Sequence, residues 1–336
     1  MTDPGRMLQR LLDREDLRRS EVTALFGQIM DGEIADSQIA ALLVAFAMKG
    51  ETPEEIAGAV EAMRARVLAV PHRRDDVIDT CGTGGDGRGS FNVSTAAAFV
   101  AAAGGAAVAK HGNRAISSRS GSADVLAALG LPVEVAPETS ARQLDSIGIA
   151  FLFAPTHHPA MKAVAPVRRA LGVRTLFNLL GPLTNPAGAR RQLVGVYARN
   201  RVEPVAQVLA ALGCEHALVV HGDDGLDEIT TTTTTFVAEV RDGEVRTYEL
   251  APEETGLTRS AAESLAGGNP SENASRMMEV LSGEVGALAD IVALNAGAAL
   301  YIAGRAESIA EGVELARENL TSGAALAKLE ALKSFR

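Results

Sequence analysis

Residues 79–95 read DTCGTGGDGRGSFNVST, and this glycine-rich stretch decides the fold. It lies between the apolar pair Val77–Ile78 and an alanine-rich segment, residues 96–103, so the pattern predicts a strand, a glycine loop and a helix. Glycine has no β-carbon, so the loop backbone can adopt positive φ and approach a ligand closely. At a helix start, outward-pointing N–H groups and the helix dipole favour an anion, above all phosphate. Asp86 would repel phosphate, which indicates that it binds ribose hydroxyls, a metal ion or an amine.

The loop matches neither of the two common nucleotide-binding motifs well. The P-loop pattern GxxxxGK(S/T) is absent. Gly82 and Gly84 could begin a dinucleotide-binding motif with its third glycine at Gly87, but no isolated acidic residue follows at the end of a second strand. An ordinary glycine-rich turn is the alternative.

The composition is typical of a soluble protein with a large core. The 336 residues exceed one average domain, and 47% are apolar and 22% charged. The net charge of −10 argues against general nucleic-acid binding. The sequence predicts neither a membrane span nor a signal peptide. Cys81 and Cys214 are the only cysteines, which is typical of a reducing cytoplasm, and we expect Cys81 to be a buried filler rather than a nucleophile.

The first 70 residues have helical patterns only. In two predicted helices, the apolar residues within 8–12 and within 22–29 lie on one face of the helix. A third predicted helix, residues 39–48, is apolar on nearly all of its faces. Residues 52–55 (TPEE) have the capping-box pattern that begins a fourth helix. We therefore expect a small helical domain, whose third helix packs against a second subunit because a small bundle alone could not bury it.

From residue 77 onward, short apolar strands alternate with helices, which is typical of a mostly parallel α/β sheet. The predicted strands are 77–78, 106–109, 133–135, 150–153, 193–197 and 217–220. The predicted helices between them are 96–103, 122–129, 139–147 and 202–212. A hairpin with its turn at Asp242–Gly243 follows, and the C-terminal third returns to helices at 274–281, 291–303 and 308–321.

Two polar segments follow predicted strands, at the edge where open α/β sheets bind ligands. Lys110–Arg114 (KHGNR) supplies donors for phosphate or diphosphate, and serines at 117, 118, 120 and 122 precede the next helix. Asp223–Glu228 (DDGLDE) gathers carboxylates, which predicts Mg²⁺ held by one or two of them together with substrate phosphates. The alternative for the first segment is a solvated loop, and the alternative for the second segment is an acidic surface turn. The threonine run 230–235 is interpreted as extended or loop structure.

Residues 153–186 offer further candidates. His157 and His158 have no partner cysteine or histidine in range, so positioning or packing is favoured over metal ligation. Arg168 or Arg169 could hold a substrate carboxylate. Two Pro-containing pairs, at 181–182 and 185–186, are predicted to form rigid turns.

Together and in this order, the motifs resemble the anthranilate phosphoribosyltransferase family over essentially the whole chain. The resemblance is carried by GTGGD (82–86), KHGNRAISSRSGSADVLAALG (110–130), HPAM (158–161), VRRALGVRT (167–175), FNLLGPLTNP (177–186) and DGLDE (224–228). It implies a fold like the class III phosphoribosyltransferases and nucleoside phosphorylases. In that fold, residues 1–70, joined by about 164–190, form a helical dimerisation domain, while 71–163 and 191–336 form a large α/β domain. The implied state is a cytoplasmic homodimer.

The implied reaction belongs to tryptophan biosynthesis and transfers the phosphoribosyl group of 5-phosphoribosyl 1-diphosphate (PRPP) to the amine of anthranilate, without a covalent nucleophile. The resemblance places PRPP on Gly82, Thr83, Gly85, Asp86, Ser90, Asn92, Ser94, Thr95, Lys110 and Ser122. It places anthranilate on Gly82, His111, Asn113, His158 and Arg168, and two Mg²⁺ ions per monomer on Ser94, Asp227 and Glu228. Nucleic acid and membrane are not expected partners, and an anthranilate synthase partner stays open.

Two other functions remain as alternatives. A pyrimidine nucleoside phosphorylase would use phosphate and a nucleoside, which would leave the acidic pair Asp227–Glu228 without a task. A non-catalytic nucleic-acid-binding relative should have a basic face and should lack that pair, whereas this chain is acidic and retains it.

Overall fold

The chain folds around a seven-stranded sheet that carries helices on both faces. The computed structural model describes residues 3–115 and 119–336, so the serines at 117 and 118 lie outside the described residues. The strands are β1 Val77–Asp79, β2 Ala107–Gly112, β3 Ile149–Phe153, β4 Arg191–Gly195, β5 His216–Gly222, β6 Thr235–Arg241 and β7 Glu244–Leu250. They lie in the order β3-β2-β1-β4-β5-β6-β7.

The order of the strands creates a crevice beside β1. The five strands from β3 to β5 are parallel, and β6 and β7 add an antiparallel hairpin. The chain builds β2 and β3 on one side of β1 and then returns to place β4 on the other side. The connections after β1 and β4 therefore diverge, and the gap at the carboxyl ends of these strands is where open α/β sheets bind ligands.

Fifteen α-helices surround the sheet in the described part of the chain. Those before and around the first strands are α1 Pro4–Leu12, α2 Arg19–Met30, α3 Asp36–Lys49, α4 Pro53–Arg64, α5 Val93–Ala103, α6 Ser122–Ala128, α7 Pro137–Ile147 and α8 Ala154–His157. The remainder are α9 Ala165–Leu171, α10 Phe177–Leu183, α11 Val202–Ala211, α12 Pro270–Leu281, α13 Ala287–Ile302, α14 Ile309–Thr321 and α15 Ala324–Ser334. In the described ranges, no helix combines the length and the apolar character that spanning a bilayer requires.

Besides a smaller cluster that joins β1–β3 to α7, two large apolar cores lie on opposite faces of the sheet. One core joins α5 and the C-terminal helices to the sheet. The other joins α1–α4 to α9, α10, α11 and the opposite face. Contacts within the chain bury Ile39, Leu42, Leu43 and Phe46 of α3, so the expectation that this helix needs a second subunit for its burial is wrong for these residues. Met48 at the end of α3 is 71% exposed. Residues 164–183 thus pack with the N-terminal helices, although β1, β2 and β3 lie between these two segments in the sequence.

Several predictions from the sequence are confirmed. The predicted α/β fold with a mostly parallel sheet is present, and strand, glycine loop and helix follow one another at β1 and α5. Thr52 and Glu55 form the expected capping box at α4. The hairpin turns at Asp242 and Gly243, whose φ values of 53° and 84° are those of a type I′ turn.

Other predictions are wrong. Residues 133–135 form no strand, because Pro132 and Pro137 leave too short a segment for ladder pairing, and Val133 is buried from irregular backbone. β2 continues to Gly112, so Lys110 and His111 lie within the strand and not after it. Gly181 and Pro182 lie in the last turn of α10, where sequence reasoning expected a turn. Leu12 is 60% exposed instead of sharing the buried face of α1, and α15 was not predicted.

Candidate active site

A cavity of about 590 Å³ opens at the carboxyl ends of the parallel strands. Its wall combines the glycine loop, the end of β2, the segments after β3 and β5, and residues 158–182 from the helical side. All predicted site residues line this one cavity: Gly82, Thr83, Gly85, Asp86, Ser90, Asn92, Ser94, Thr95, Lys110, His111, Asn113, Ser122, His158, Arg168, Asp227 and Glu228. The sequence motifs, although dispersed over about half the chain, thus meet at a single place.

The glycine loop is shaped by its glycines and held by its neighbours. Gly84, Gly85, Gly87 and Gly89 have φ between 63° and 78°, a region that residues with a β-carbon rarely adopt. Gly82 has ordinary φ but no room, because a β-carbon there would lie 2.9 Å from Oδ2 of Asp227. The close approach of the loop to the acidic segment after β5 therefore requires glycine at this position.

Some loop amides face the protein and not the cavity, which corrects the expectation that they point outward. The amide of Thr83 donates to the Gly195 carbonyl at 2.8 Å, and the amide of Gly84 donates to Oδ2 of Asp227 at 2.8 Å. At the start of α5, the amide of Ser94 donates to Oε1 of Glu228 at 3.1 Å. The acidic pair thus holds both ends of the glycine loop, and the helix terminus is already occupied by a carboxylate.

Three carboxylates, those of Asp86, Asp227 and Glu228, lie close together in the cavity wall. Loss of hydration raises the pKa of Asp227, and the nearby charge of Asp86 adds to this shift. Loss of hydration likewise raises the pKa of Glu228, with Asp227 contributing. Oδ2 of Asp86 is buried without a hydrogen-bond partner among the described residues. Such a desolvated cluster of hard oxygen ligands fits a divalent cation of the Mg²⁺ type, which would relieve the repulsion.

The two acids that precede this pair do not contribute to the cavity. Asp224 accepts hydrogen bonds from the hydroxyls of Thr230, at 2.6 Å, and Thr232, at 2.5 Å. Asp223 accepts from Thr234 and pairs with Arg199, both at 2.7 Å. The threonine run therefore holds Asp223 and Asp224 in place, which leaves Asp227 and Glu228 as the two carboxylates of the acidic segment that line the cavity.

Lys110 crosses the floor of the cavity from β2. Its side chain is buried, and Nζ donates to the carbonyl of Thr80 at 2.9 Å and to Oγ of Ser94 at 3.3 Å. An ammonium group has three donors, so one remains for a ligand. Lys110 brings positive charge next to the acidic pair, and its charge opposes the upward shift in the pKa of Glu228.

Two buried histidines form a neutral pair beside the cavity. Nδ1 of His111 lies 3.0 Å from the Gly181 carbonyl, which requires that this nitrogen donates, and Nε2 of His111 lies 3.2 Å from Nε2 of His158. Burial lowers the pKa of His158 to about 4 and lowers that of His111 as well. His157 turns the other way, with Nδ1 2.8 Å from the Leu68 carbonyl. Neutral imidazoles at this wall suit contact with an uncharged aromatic ring.

Arg168 supplies a cation to the cavity wall. Its guanidinium lies 5.5 Å from the ring centroid of Phe177, and burial lowers its pKa. No carboxylate among the described residues forms an ion pair with it, so its donors can face a ligand. Arg169 is exposed and lies outside the cavity wall, which favours Arg168 over Arg169 as the group that holds a substrate carboxylate.

Cys81 contacts the cavity but lacks the character of a nucleophile. Burial raises the pKa of its thiol to about 12. Asp79, Cys81 and His111 have ligand atoms within 4.8 Å of one another. However, the oxygens of Asp79 already accept from the amide of His111 and from Nδ2 of Asn185, at 3.1 and 2.7 Å. This group is therefore a structural hydrogen-bond network.

Sequence reasoning missed residues that support the site from a distance. Arg174 donates to the carbonyl of Gly85, and its guanidinium lies 4.5 Å from the ring centroid of Tyr197. Asn273 of α12 is buried and donates to Oδ1 of Asn92 at 2.8 Å. The capping pattern at 269–272 could have located the start of α12, but no local pattern indicated that this helix reaches the glycine loop.

The chain matches two profiles of one family. The glycosyl transferase family's helical bundle domain matches residues 6–67, and its a/b domain matches residues 74–326. An anthranilate phosphoribosyltransferase of Azorhizobium caulinodans is 54% identical over 94% of this chain and 92% of the relative.

Two solved structures are similar over nearly their whole length. The anthranilate phosphoribosyltransferase of Thermus thermophilus superposes with a TM-score of 0.93 at 49% identity, with 98% of each chain covered. The Saccharomyces cerevisiae enzyme in complex with PRPP and Mg superposes with a TM-score of 0.88 at 29% identity, over 97% of this chain and 95% of that one. With this fold, this cavity and this degree of identity, the chain belongs to the anthranilate phosphoribosyltransferase family of glycosyl transferases.

Proposed function

We propose that this protein transfers the phosphoribosyl group of PRPP to the amine of anthranilate, giving N-(5-phosphoribosyl)anthranilate and diphosphate. The observation that carries the proposal is the meeting of three kinds of group in one cavity: the glycine loop, the acidic pair and a guanidinium without an acidic partner. The reaction forms a bond between the amine nitrogen and C1 of ribose and breaks the bond from C1 to diphosphate. The amine loses one proton, and no covalent intermediate with the enzyme is needed.

The donor would lie along the glycine loop and the start of α5. Lys110 supports this placement because it offers one ammonium donor to the departing diphosphate, where it would stabilise the developing negative charge. The hydroxyls of Ser90, Ser94 and Thr95, the side chain of Asn92 and the hydroxyl of Ser122 would donate to phosphate oxygens from the same wall. Fixed donors of this kind need no rearrangement as charge develops.

Magnesium would be held by Asp227 and Glu228 with the hydroxyl of Ser94, and we propose two ions per monomer. When bound, Mg²⁺ neutralises charge on the diphosphate and so makes it a better leaving group. The raised pKa of both carboxyls supports this placement, since buried acids that have lost their hydration and lie near other carboxylates hold protons more tightly when no counter-ion is bound. Asp86, whose charge contributes to the raised pKa of Asp227, would face the ribose or an ion.

Anthranilate would lie between the histidine pair and Arg168. The guanidinium of Arg168 can bind the acceptor's carboxylate through two parallel hydrogen bonds, and this would fix the amine's direction of approach. His111 and His158 offer an uncharged wall for the ring, and Asn113 lines the same cavity. Holding both substrates in line supplies catalysis through positioning, which is worth several kcal/mol in well-oriented reactions.

Three wider aspects of the function are also proposed. The reaction places the protein in tryptophan biosynthesis, and we propose that the protein acts in the cytoplasm. We propose a homodimer, because apolar side chains at the ends of α1 and α3, Leu12 and Met48, are 60% and 71% exposed. The acidic net charge and the cavity acids disfavour nucleic acid as a partner.

The reaction can be followed directly through the fluorescence of anthranilate. Purified protein with PRPP and Mg²⁺ should consume anthranilate, and leaving out either PRPP or Mg²⁺ should stop the consumption. Replacing PRPP with phosphate and offering a pyrimidine nucleoside tests the phosphorylase alternative in parallel. Persistent anthranilate fluorescence under all conditions, with a folded protein, would exclude the proposed transferase.

A further inference from the structure

We propose that Asn273, on α12, is a positioning residue that fixes the orientation of the Asn92 side-chain amide towards the donor's phosphates. This inference rests on the proposed function. Asn273 does not line the cavity, and its side chain is 1% exposed. Its influence must therefore pass through Asn92, which does line the cavity.

The two asparagines form a hydrogen-bond chain whose direction is fixed at both ends by backbone groups. The amide of Gly268 donates to Oδ1 of Asn273 at 2.7 Å. Since a backbone N–H can only donate, this bond identifies which end of the Asn273 amide is oxygen. Nδ2 of Asn273 is then the group that donates to Oδ1 of Asn92, at 2.8 Å.

The far end of the chain agrees with this direction. Nδ2 of Asn92 lies 3.3 Å from the carbonyl of Ser120, which can only accept. The chain of hydrogen bonds from Gly268 through Asn273 and Asn92 to Ser120 is therefore satisfied by only one orientation of the two side-chain amides. In that orientation, Nδ2 of Asn92 keeps one further N–H, and a phosphate oxygen needs such a donor. A flipped amide would turn its carbonyl oxygen to the anion and repel it.

Local backbone geometry holds Asn273 in place. Asn269 caps α12 and forms a capping box with Glu272. A β-carbon at Gly268 would lie 2.8 Å from Cβ of Glu272, so a larger residue would displace this turn, which aims the Gly268 amide at Asn273. The same segment is bound to the end of the glycine loop, since the amide of Gly267 donates to the Gly89 carbonyl at 2.8 Å. The start of α12 thus forms a rigid support for Asn92.

The informative variant is Asn273→Asp. An aspartate can still accept from Gly268 but cannot donate to Asn92, so the Asn92 amide should flip. We expect the KM for PRPP to rise at least tenfold, with the KM for anthranilate changed less than twofold. Inhibition by inorganic diphosphate should weaken in parallel. Asn319→Asp, the same chemical change on α14 away from the cavity, should leave both constants unchanged.

A double-mutant cycle distinguishes positioning from general damage to the fold. In the Asn92→Ala background, adding Asn273→Asp should change the KM for PRPP less than twofold, because there is no amide left to orient. Asn273→Ser, which introduces no charge, serves as the second variant and should show the same dependence on Asn92. Equal effects in both backgrounds would overturn the inference, as would failure of both Asn273 variants to fold. A wild type that neither binds PRPP nor consumes anthranilate would instead overturn the proposed function.

Discussion

At the scale of single residues, burial shifts the pKa values of several side chains in the cavity wall away from their usual range. His158 is neutral because burial lowers its pKa to about 4, and the thiol of Cys81 stays protonated because burial raises its pKa to about 12. Arg168 keeps its charge in a half-buried place beside Phe177. A cavity lined by neutral imidazoles and one guanidinium suits an acceptor that has both an aromatic ring and an anionic group.

Replacing Arg168 tests this assignment with a minimal change. Arg168→Lys retains the charge but cannot form two parallel hydrogen bonds, so the KM for anthranilate should rise about tenfold, equivalent to about 1.4 kcal/mol. The KM for PRPP should change little. Arg169→Lys is the matched control, since Arg169 is exposed outside the cavity wall. Steady-state kinetics with each substrate varied in turn would measure both KM values. The same KM for anthranilate in Arg168→Lys and Arg169→Lys would contradict the assignment.

At the scale of secondary-structure elements, a buried acid joins the antiparallel hairpin to the rest of the sheet. Glu239 of β6 accepts hydrogen bonds from Nε2 of His216 at 3.0 Å, Nη2 of Arg246 at 2.7 Å and Oη of Tyr301 at 2.8 Å. Burial would raise the pKa of Glu239, but these bonds outweigh it and lower the pKa to about 2. The network ties β5, β7 and α13 to one carboxylate.

This lowered pKa predicts how stability depends on pH. A carboxyl whose pKa falls from 4.5 unfolded to about 2 folded stabilises the protein fully above pH 4.5 and loses that contribution as the pH falls towards 2. Glu239→Gln should therefore lower the free energy of unfolding at pH 7, by at most about 3 kcal/mol. Glu244→Gln, on the exposed start of β7, should have no effect. Denaturant unfolding should show the difference between Glu239→Gln and wild type shrinking below pH 4.5, and a constant difference would refute the mechanism.

Sequence patterns predicted elements better than they predicted which groups face one another. The sequence places Lys110 after its strand, but the residue lies within β2. The strand continues through polar residues because Lys110 pairs with Phe151 and His111 pairs with Leu152 of β3. The threonines after Glu228 look like a biased run, yet two of them hold Asp224. Such pairings depend on tertiary contacts, which leave no period or spacing in the sequence. Asn273 is the clearest case, since its partner Asn92 lies 181 residues earlier.

At the scale of the whole molecule, the cavity has walls from two parts of the chain that are distant in sequence. The glycine loop and acidic pair come from the sheet, whereas Arg168 and His158 come from segments that pack with or lead to the N-terminal helices. The places proposed for the donor and the acceptor therefore lie on different parts of the chain. Movement of the helical part relative to the sheet would bring the two substrates together.

The exposed apolar ends of α1 and α3 predict self-association. Wild-type protein should scatter light as a particle of about twice the 34.9 kDa chain mass. The double variant Leu12→Glu/Met48→Glu should shift towards the single-chain mass, because charges on the contact face must be desolvated on association. Val285→Glu, at a position 85% exposed before α13, is the control and should keep the wild-type mass. A wild type that scatters as one chain at all concentrations would contradict the proposed homodimer.

The central claim is that Asp227 and Glu228 hold the magnesium that binds the diphosphate of PRPP beside the glycine loop. Calorimetric titration of PRPP into the wild type and into Asp227→Asn/Glu228→Gln, each with and without Mg²⁺, tests it most directly. Asp223→Asn is the control, because that carboxylate is bound to Thr234 and Arg199 away from the cavity. We predict that Mg²⁺ tightens PRPP binding in the wild type and the control but not in the double variant. Equal enhancement by Mg²⁺ in all three proteins would contradict the claim.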